Sequence, residues 1–424
     1  MICQEKMDTA MIPLQRVLSL GLIWPTEIKP DRTVYLANFF YRWYSIAFYF
    51  LVPIMETSYA IQHINDMREC TEAACTLFTA IVVEVKLFYL LIYQETLKYL
   101  IRTHLQKDYT THMPFLHKVQ QFKDEKFSEL NAYLEDTMDK DLKQCRLLFI
   151  SLVPSVVGTL ILYQMVPALT MWYTSVYNPD NYELLLPFRF ALPFDYEDST
   201  ALYTFAYSIH IMAGWLTGHG FIYMDVIFGM VMVMMIRQCE VLARVLRDQH
   251  KYAVILAGEG ATPKQIDDQS YDLLSQWIVH YERILMEHSK IEALGPVFFS
   301  QFSGATLTIC LLAFKADMES HPALLATYFL HFVSTAVQLM IYCWYGERLF
   351  HVGQNLAEVA YQTPWEERSG RYQHALRMVI RQGHRYPRLT AIGFWELSLP
   401  TYRAIFGTAA SYYTLLQSVG EEKE

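Results

Sequence analysis

Apolar residues in this chain are concentrated in seven blocks, which polar segments separate. A membrane-spanning helix needs about 20 mostly apolar residues, and each block reaches that length. The predicted spans, numbered one to seven in chain order, are 36–55, 73–97, 147–176, 201–236, 294–314, 323–345 and 392–419. The pattern therefore predicts an all-α polytopic membrane protein with seven transmembrane helices.

The segments outside these spans predict further structure. No proline interrupts residues 201–250, and one helix of that length would measure about 75 Å, more than twice the ~30 Å hydrocarbon core. Residues 271–292 and 365–385 also fit helices, which predicts a cytosolic helical layer. The amphipathic segment 14–24 is too short to cross and predicts an interfacial or re-entrant helix. The segment 177–200, rich in Pro and aromatic residues, is expected to cover one end of the bundle as a lid.

The distribution of Lys and Arg predicts the orientation, because cytoplasmic loops carry the excess of positive charge. Of the 34 Lys and Arg residues, 27 lie in segments 1–35, 98–146, 237–293 and 346–389. The alternate segments hold four, and three lie within spans. The N-terminus is therefore predicted in the cytosol and the C-terminus outside. The surroundings expected for such a chain are membrane lipid and not nucleic acid.

Candidate chemistry does not point to an enzyme. The seven cysteines form no CxxC pair, and the HExxH, GxSxG and Walker patterns are absent from the sequence, so no metal site, cofactor or catalytic centre is predicted. Cys70 and Cys75 are five residues apart at the outer start of span two, where a bridge between them stays open. Asn178 begins an NPxxY pattern typical of G-protein-coupled receptors. It lies in an outside loop, however, and the predicted orientation also opposes that class.

Four of the ionisable residues within the apolar blocks are candidates for a particular role. Glu84 and Lys86 are about 200° apart on a helix, so they cannot pair with each other and are expected to contact partners on other helices. His210 and His331 fit hydrogen-bonded structural positions, although an ionisable residue inside a membrane is also a functional candidate.

Span seven differs from the others in its polar face. At spacings of three and four, one side carries Thr408, Ser411, Leu415, Ser418 and Val419. Such a face lines a water-filled path or a helix contact, and apolar side chains at a constriction can gate by dewetting.

The C-terminal third resembles a known family, the insect odorant receptors. The residues that carry the resemblance are the run YCWYGE at 342–347, the run LTAIGFWELSLPTY at 389–402 and the run SYYTLLQS at 411–418. Chain length, inverted topology and the Trp24-Pro25 segment agree with that family. Pro400 and Arg403 depart from its more usual acidic and apolar residues, which affects the local electrostatics of a pore.

The resemblance implies a subunit of a tetrameric, odorant-gated, nonselective cation channel that needs no G protein. In the family, the co-receptor carries a long insertion between spans four and five, and residues 237–293 leave no room for one. The chain therefore resembles an odorant-specific tuning subunit. The resemblance implies that it forms a heterotetramer with odorant receptor co-receptor subunits in the plasma membrane of olfactory sensory neurons. The alternatives are a gustatory-receptor-like homotetramer and a secondary transporter. The implied parts are an N-terminal segment 1–35, spans one to four at 36–236, a cytosolic extension 237–293, spans five and six at 294–345, an anchor region 346–390, a pore-lining half-helix 391–419 and an extracellular tail 420–424.

The family's odorant pocket lies in the outer half of the bundle. Carried onto this sequence, it predicts a site for a small volatile apolar or aromatic odorant. The candidate ligand-binding residues are Phe78, Ile81, Val82, Ser155, Gly158, Thr159, Leu162, Tyr203, Tyr207, His210, Tyr328 and Phe332. The face of span seven described above supplies the candidate pore-lining residues.

Overall fold

The computed structural model describes residues 32–101, 113–122 and 125–421. The predicted interfacial helix at 14–24 and the end of the tail at 422–424 lie outside these residues. The helices are α1 Arg32–Gln62, α2 Met67–Ile92, α3 Gln94–Ile101, α4 Pro114–Phe122, α5 Ser128–Tyr177, α6 Thr200–Arg247, α7 Gln249–Ala257, α8 Pro263–Glu292, α9 Gly295–Met318, α10 Pro322–Tyr361, α11 Gly370–Gly383 and α12 Leu399–Glu421. Thr390–Ala391 (β1) and Trp395–Glu396 (β2) form a small antiparallel hairpin.

Helices α1, α2, α5, α6, α9, α10 and α12 correspond to the seven predicted spans. Within the described residues, five of them are long and apolar enough to cross a membrane, namely α2, α5, α6, α9 and α10. The all-α membrane fold is thus confirmed. Hydroxyl-bearing residues lower the mean hydropathy of α12, and polar residues such as Glu56 do so in α1.

Local sequence explains where several helices begin. The carboxylate of Asp66 accepts hydrogen bonds from the backbone N–H groups of Arg68 and Glu69 and so caps α2. Thr262 and Gln265 form a reciprocal capping box at α8, with Pro263 in the first turn. α10 also begins with a proline, Pro322, which lacks the N–H that a first turn leaves unbonded.

Helix α6 is the centre of the bundle. Its most apolar stretch is almost completely enclosed, and it packs against α5 and α10, with α1 and α2 alongside. α9 packs between α2, α10 and α12. At one end of the bundle lies residue range 182–199, which we call the lid. At the other end α7, α8 and α11 pack around the extensions of α6 and α10, in the place predicted for the helical layer.

The predicted start of span seven differs from the structure. A helix was expected from Ile392, but residues 390–396 form the hairpin and α12 begins at Leu399. Ile392 and Gly393 both have positive φ, 51° and 72°, and the N–H of Phe394 donates to the carbonyl of Ala391. This is the geometry of a tight hairpin turn. The apolar run misled the prediction because a hairpin tip and a span can share the same composition.

Candidate functional site: a cavity between the helices and the exposed face of α12

A partly enclosed cavity lies between α1, α2, α5, α6, α9 and α10, beneath the lid. It offers about 90 Å³ to the centre of a water-sized sphere. The walls are chiefly apolar, as in sites for small organic ligands. Its lining residues are Val52, Glu56, Thr76, Thr79, Ala80, Val82, Val156, Thr159, Leu160, Tyr163, Phe188, Phe190, Ala213, Gly214, Thr217, Gly218, Phe221, Gln301, Gly304, Ala305, Thr308, His331, Ser334, Thr335 and Gln338.

The lid supplies the roof of this cavity through two aromatic side chains. Phe188 stacks on Tyr163, with ring centroids 5.7 Å apart, and Phe190 stacks on His210 at 4.3 Å. The backbone N–H of Phe188 also donates to Nδ1 of His210. The lid is therefore anchored in the bundle instead of lying loosely upon it.

The lid is held at its rim by charge. Arg189 Nε lies 3.0 Å from a carboxylate oxygen of Glu69 and 2.8 Å from one of Glu72, both on α2. The Tyr203 hydroxyl of α6 donates to the carbonyl of Leu185. A second, more polar cavity of about 380 Å³ opens at this rim and shares Thr76, Tyr163 and Phe188 with the first. These shared residues separate the enclosed cavity from the rim.

Polar groups are interspersed along the cavity wall. Hydroxyls of Thr79, Thr159 and Thr335 donate to carbonyls of their own helices, so their protons are already used. Tyr163 is hydrogen-bonded to Nδ1 of His331. Gln301 donates from its amide to Gln338 at 3.4 Å.

Some of the predicted pocket residues line a cavity. Val82 and Thr159 line the enclosed cavity, and Leu162 and Tyr328 line the rim cavity. His210 is fully buried behind the roof, against Phe190.

The other predicted pocket residues have different neighbours. Tyr203 bonds to Leu185 in the lid, Tyr207 donates to the carbonyl of Gln164, and Ser155 donates to the carbonyl of Leu152. A Cβ on Gly158 would lie 3.1 Å from Leu330, in the contact between α5 and α10. Phe332 faces Phe406 of α12, Ile81 is exposed on the helix surface, and the carbonyl of Phe78 lies near Gly304.

Sequence reasoning missed the contributions of α1 and α9. The predicted span one ends at residue 55 and leaves Glu56 in an outside loop, whereas α1 continues to Gln62 and buries this side chain. Gln301, Thr308 and Gln338 also belong to the wall. Their spacing was a usable signal, since Gln301 and Thr308 are seven apart and Ser334 and Gln338 are four apart, each pair on one helix face.

Beyond the cavity, deeper in the bundle, lies a buried ionic group. Lys86 Nζ is 2.6 Å from Asp225 Oδ1, and the Tyr342 hydroxyl donates to the same oxygen at 2.6 Å. All three side chains are completely enclosed or nearly so. The group joins α2, α6 and α10, and it provides the partner on another helix that Lys86 was expected to need.

Helix α12 presents two unlike faces. Ile405 and Ala409 are buried, and Ala409 packs with Ile309 and Cys310 of α9, whereas Thr408, Ser411, Leu415 and Ser418 are exposed. The side chain of Val419 lies outside the described part. The hydroxyls of Thr408, Ser411 and Ser418 donate to carbonyls within α12, so their oxygen lone pairs face away from the subunit.

A polar junction connects α10 to the start of this helix. Glu347 Oε2 accepts the backbone N–H of Leu399 at 3.3 Å and lies 3.5 Å from Arg388 Nη1. Glu292 of α8 accepts hydrogen bonds from the backbone and the hydroxyl of Thr390. The hairpin and the first turn of α12 are thus tied to two helices of the bundle.

Comparison with known proteins agrees with this architecture. The profile of the 7tm Odorant receptor family matches residues 66–410. Odorant receptor 13a of Drosophila melanogaster is 23% identical over 431 residues, covering 96% of this chain and 95% of that one. The structure of the olfactory receptor OR5 from Machilis hrabei in complex with eugenol shares the fold, with a TM-score of 0.80 at 13% identity, covering 98% of this chain and 99% of that one. A second structure of OR5 gives a TM-score of 0.76. Since the family profile covers most of its length, this chain belongs to the 7tm odorant receptor family, a family of membrane receptors.

Proposed function

We propose that this chain is the odorant-binding subunit of a ligand-gated, nonselective cation channel and assembles with the shared co-receptor. The observation that carries the proposal is the adjacency of the two features described above. α9 and α10 line the enclosed cavity, and both pack against α12, whose hydroxyl-bearing face is free of contacts within the subunit. A ligand that shifts these two helices would therefore act directly on a helix suited to line a pore.

The proposed pore surface has the right chemistry for cations. Hydroxyl oxygens whose protons are bound to helix carbonyls offer lone pairs to a passing cation. Leu415 is 61% exposed among them and supplies an apolar position that can close a pore by dewetting. A single subunit gives only part of such a ring, so a complete pore needs several subunits. The proposal places this assembly in the plasma membrane of olfactory neurons.

The test is to record odorant-evoked currents from cells that express this chain with and without the co-receptor. We expect currents from the pair and little from this chain alone. Large currents from the chain alone would favour the gustatory-receptor-like homotetramer, and substrate flux without unitary currents would favour a transporter.

A matched pair of substitutions on α9 locates the ligand site in the same assay. Ala305 lines the cavity, whereas Ala313 is exposed on the same helix. Ala305→Leu should fill the cavity and weaken odorant potency at unchanged surface density, and Ala313→Leu should leave it unaltered. Equal responses from the two variants would move the ligand site elsewhere.

A further inference from the structure

The enclosed cavity contains a carboxyl group whose charge and hydrogen bonds the wall does not satisfy. Glu56 lines the cavity and is 2% exposed. Its side chain has a hydrogen-bonding neighbour in Thr76, but Oε2 has no hydrogen-bond partner among the described residues. Burying a carboxylate without such partners is expensive, so this group either holds a proton or pairs with a cation that enters the cavity.

The protein does not provide a cation for this carboxyl group. Among the described residues, the cavity lining includes neither lysine nor arginine. Lys86, the buried cation deeper in the bundle, is bound to Asp225, and Arg189 of the lid is bound to Glu69 and Glu72. The compensating charge is therefore left to the ligand.

The rest of the wall favours a ligand that donates hydrogen bonds. The hydroxyls of Thr79, Thr159 and Thr335 donate hydrogen bonds to helix carbonyls, so towards a ligand they can act only as acceptors. Gln301 Oε1 is buried and has no partner among the described residues. Several acceptors thus surround the same space, beside donors such as the side-chain amide of Gln338.

Aromatic side chains form another part of the cavity wall. Tyr163, Phe188, Phe190 and Phe221 line the cavity, and the face of an aromatic ring attracts a cation, as Lys86 shows by lying 4.5 Å from the centre of the Phe221 ring. An ammonium group combines a positive charge with several N–H donors. It matches the carboxyl group, the acceptors and the rings together, whereas an ester, ketone or hydrocarbon brings no positive charge to the carboxyl group.

We propose that the cavity is selective for small volatile amines and that Glu56 is the residue that binds the ammonium group. This inference rests on the proposed function, because it names the ligand class of the same site. An alcohol of the same shape would fill the cavity but would leave the carboxyl group without a counter-charge.

The experiment uses three probes of matched shape: benzylamine, benzyl alcohol and toluene. Dose–response currents are recorded from the chain expressed with the co-receptor, as wild type, as Glu56→Gln and as Glu84→Gln. Gln keeps the shape and neutral hydrogen bonds of Glu but not its charge. Glu84 lies on α2 outside the cavity wall, so Glu84→Gln controls for the loss of a nearby negative charge.

We expect benzylamine to be the most potent probe on the wild type. Glu56→Gln should weaken it about tenfold or more, as expected when a charged hydrogen bond becomes a neutral one. The effect on benzyl alcohol should stay within about threefold, and Glu84→Gln should leave the order of the probes unchanged. Benzyl alcohol or toluene outperforming benzylamine, or an equal loss for all probes in Glu56→Gln, would overturn the inference.

A binding measurement separates this inference from the channel proposal. Benzylamine binding to the purified chain is followed by its effect on thermal unfolding, in wild type and Glu56→Gln. If benzylamine stabilises the wild type and Glu56→Gln abolishes this effect, the amine site is supported. This holds even if no odorant gates a current, and in that case only the channel proposal fails. If other odorants evoke currents but benzylamine binding does not depend on Glu56, the amine-site inference is rejected and the channel proposal is retained.

Discussion

At the scale of single residues, the enclosed ion pair is the most demanding contact in the bundle. Lys86 and Asp225 lie 2.6 Å apart with neither side chain exposed. Removing one member of such a pair leaves an uncompensated buried charge, at a cost of about 3–5 kcal/mol, whereas removing both charges can be nearly neutral.

We therefore expect Lys86→Met to lower the thermal stability and the surface density of the receptor sharply. The double variant Lys86→Met/Asp225→Asn should recover most of the loss, because Asn keeps an oxygen that can accept the hydrogen bond from Tyr342. Thermal unfolding in detergent, together with surface labelling, measures both. Equal stability of the single variant and the wild type would show that the pair contributes little.

A histidine outside the spans should make stability depend on pH. His288 of α8 is 3% exposed, and burial lowers its pKa to about 4, with a hydrogen bond to the backbone of Pro387 opposing the shift. Below about pH 6.5 the unfolded chain gains a proton at this histidine that the folded chain does not. Stability should therefore fall from pH 6.5 towards pH 4, by up to about 3 kcal/mol from this group.

The check compares thermal unfolding at pH 7 and pH 5 for wild type, His288→Gln and the control His384→Gln, whose side chain is exposed. His288→Gln should reduce the acid-dependent loss, and the control should keep it. Identical pH dependence in all three proteins would assign the loss to other groups.

At the scale of elements, the contact between α10 and the hairpin requires a glycine. A Cβ on Gly346 would lie 2.5 Å from both the carbonyl oxygen and the Cβ of Leu397, where something must move. Gly346→Ala should displace the residues that lead into α12 and destabilise the receptor by about 1–3 kcal/mol.

The matched control is Gly370→Ala at the start of α11, where a Cβ would meet nothing within 4 Å. Thermal unfolding and surface density are measured for both. A loss in Gly346→Ala but not in Gly370→Ala supports the close contact, and equal behaviour contradicts it.

Elements differed in how well the sequence predicted them. Long apolar runs predicted α2, α5, α6, α9 and α10, because few structures other than a span use such composition. Ile392 and Glu56 show where the pattern fails. The first is apolar but lies in a turn, and the second is charged but lies in a helix, since tertiary contacts outweigh local composition at both positions.

The cavity could be predicted only in part for a different reason. Periodicity shows which residues share a face of one helix, but it does not show how that helix is rotated against its neighbours. Gly158 and Thr159 are adjacent in sequence, yet the first contacts Leu330 and the second lines the cavity. A small error in the predicted rotation of a helix about its axis therefore assigns to the cavity wall a residue that in fact lies in a helix–helix contact.

At the scale of the whole molecule, the two faces of α12 make opposite predictions for chemical labelling. Cysteines at 408, 411, 415 and 418 should react with a thiol reagent applied from outside and reduce the odorant-evoked current in the assembled channel. Cysteines replacing Ile405 and Ala409 should not react, because both positions are buried.

Leu415→Ser gives an independent readout on the same face. Because it would wet an apolar constriction, it should raise the basal current without preventing the odorant response. Uniform insensitivity of all six cysteine variants at normal surface density would remove α12 from the pore.

The unbroken course of α6 gives the bundle a mechanical property. Its 48 residues make a rod of about 72 Å. Tyr203 bonds to the lid near one end, the carbonyl of Leu242 accepts the indole N–H of Trp277 near the other, and Asp225 is pinned close to the middle. A rod held at its midpoint is a lever with a fulcrum. If the helix tilted rigidly about this point by about 2°, each end would move roughly 1.3 Å in opposite directions, and a displacement beneath the lid would be carried to the far layer.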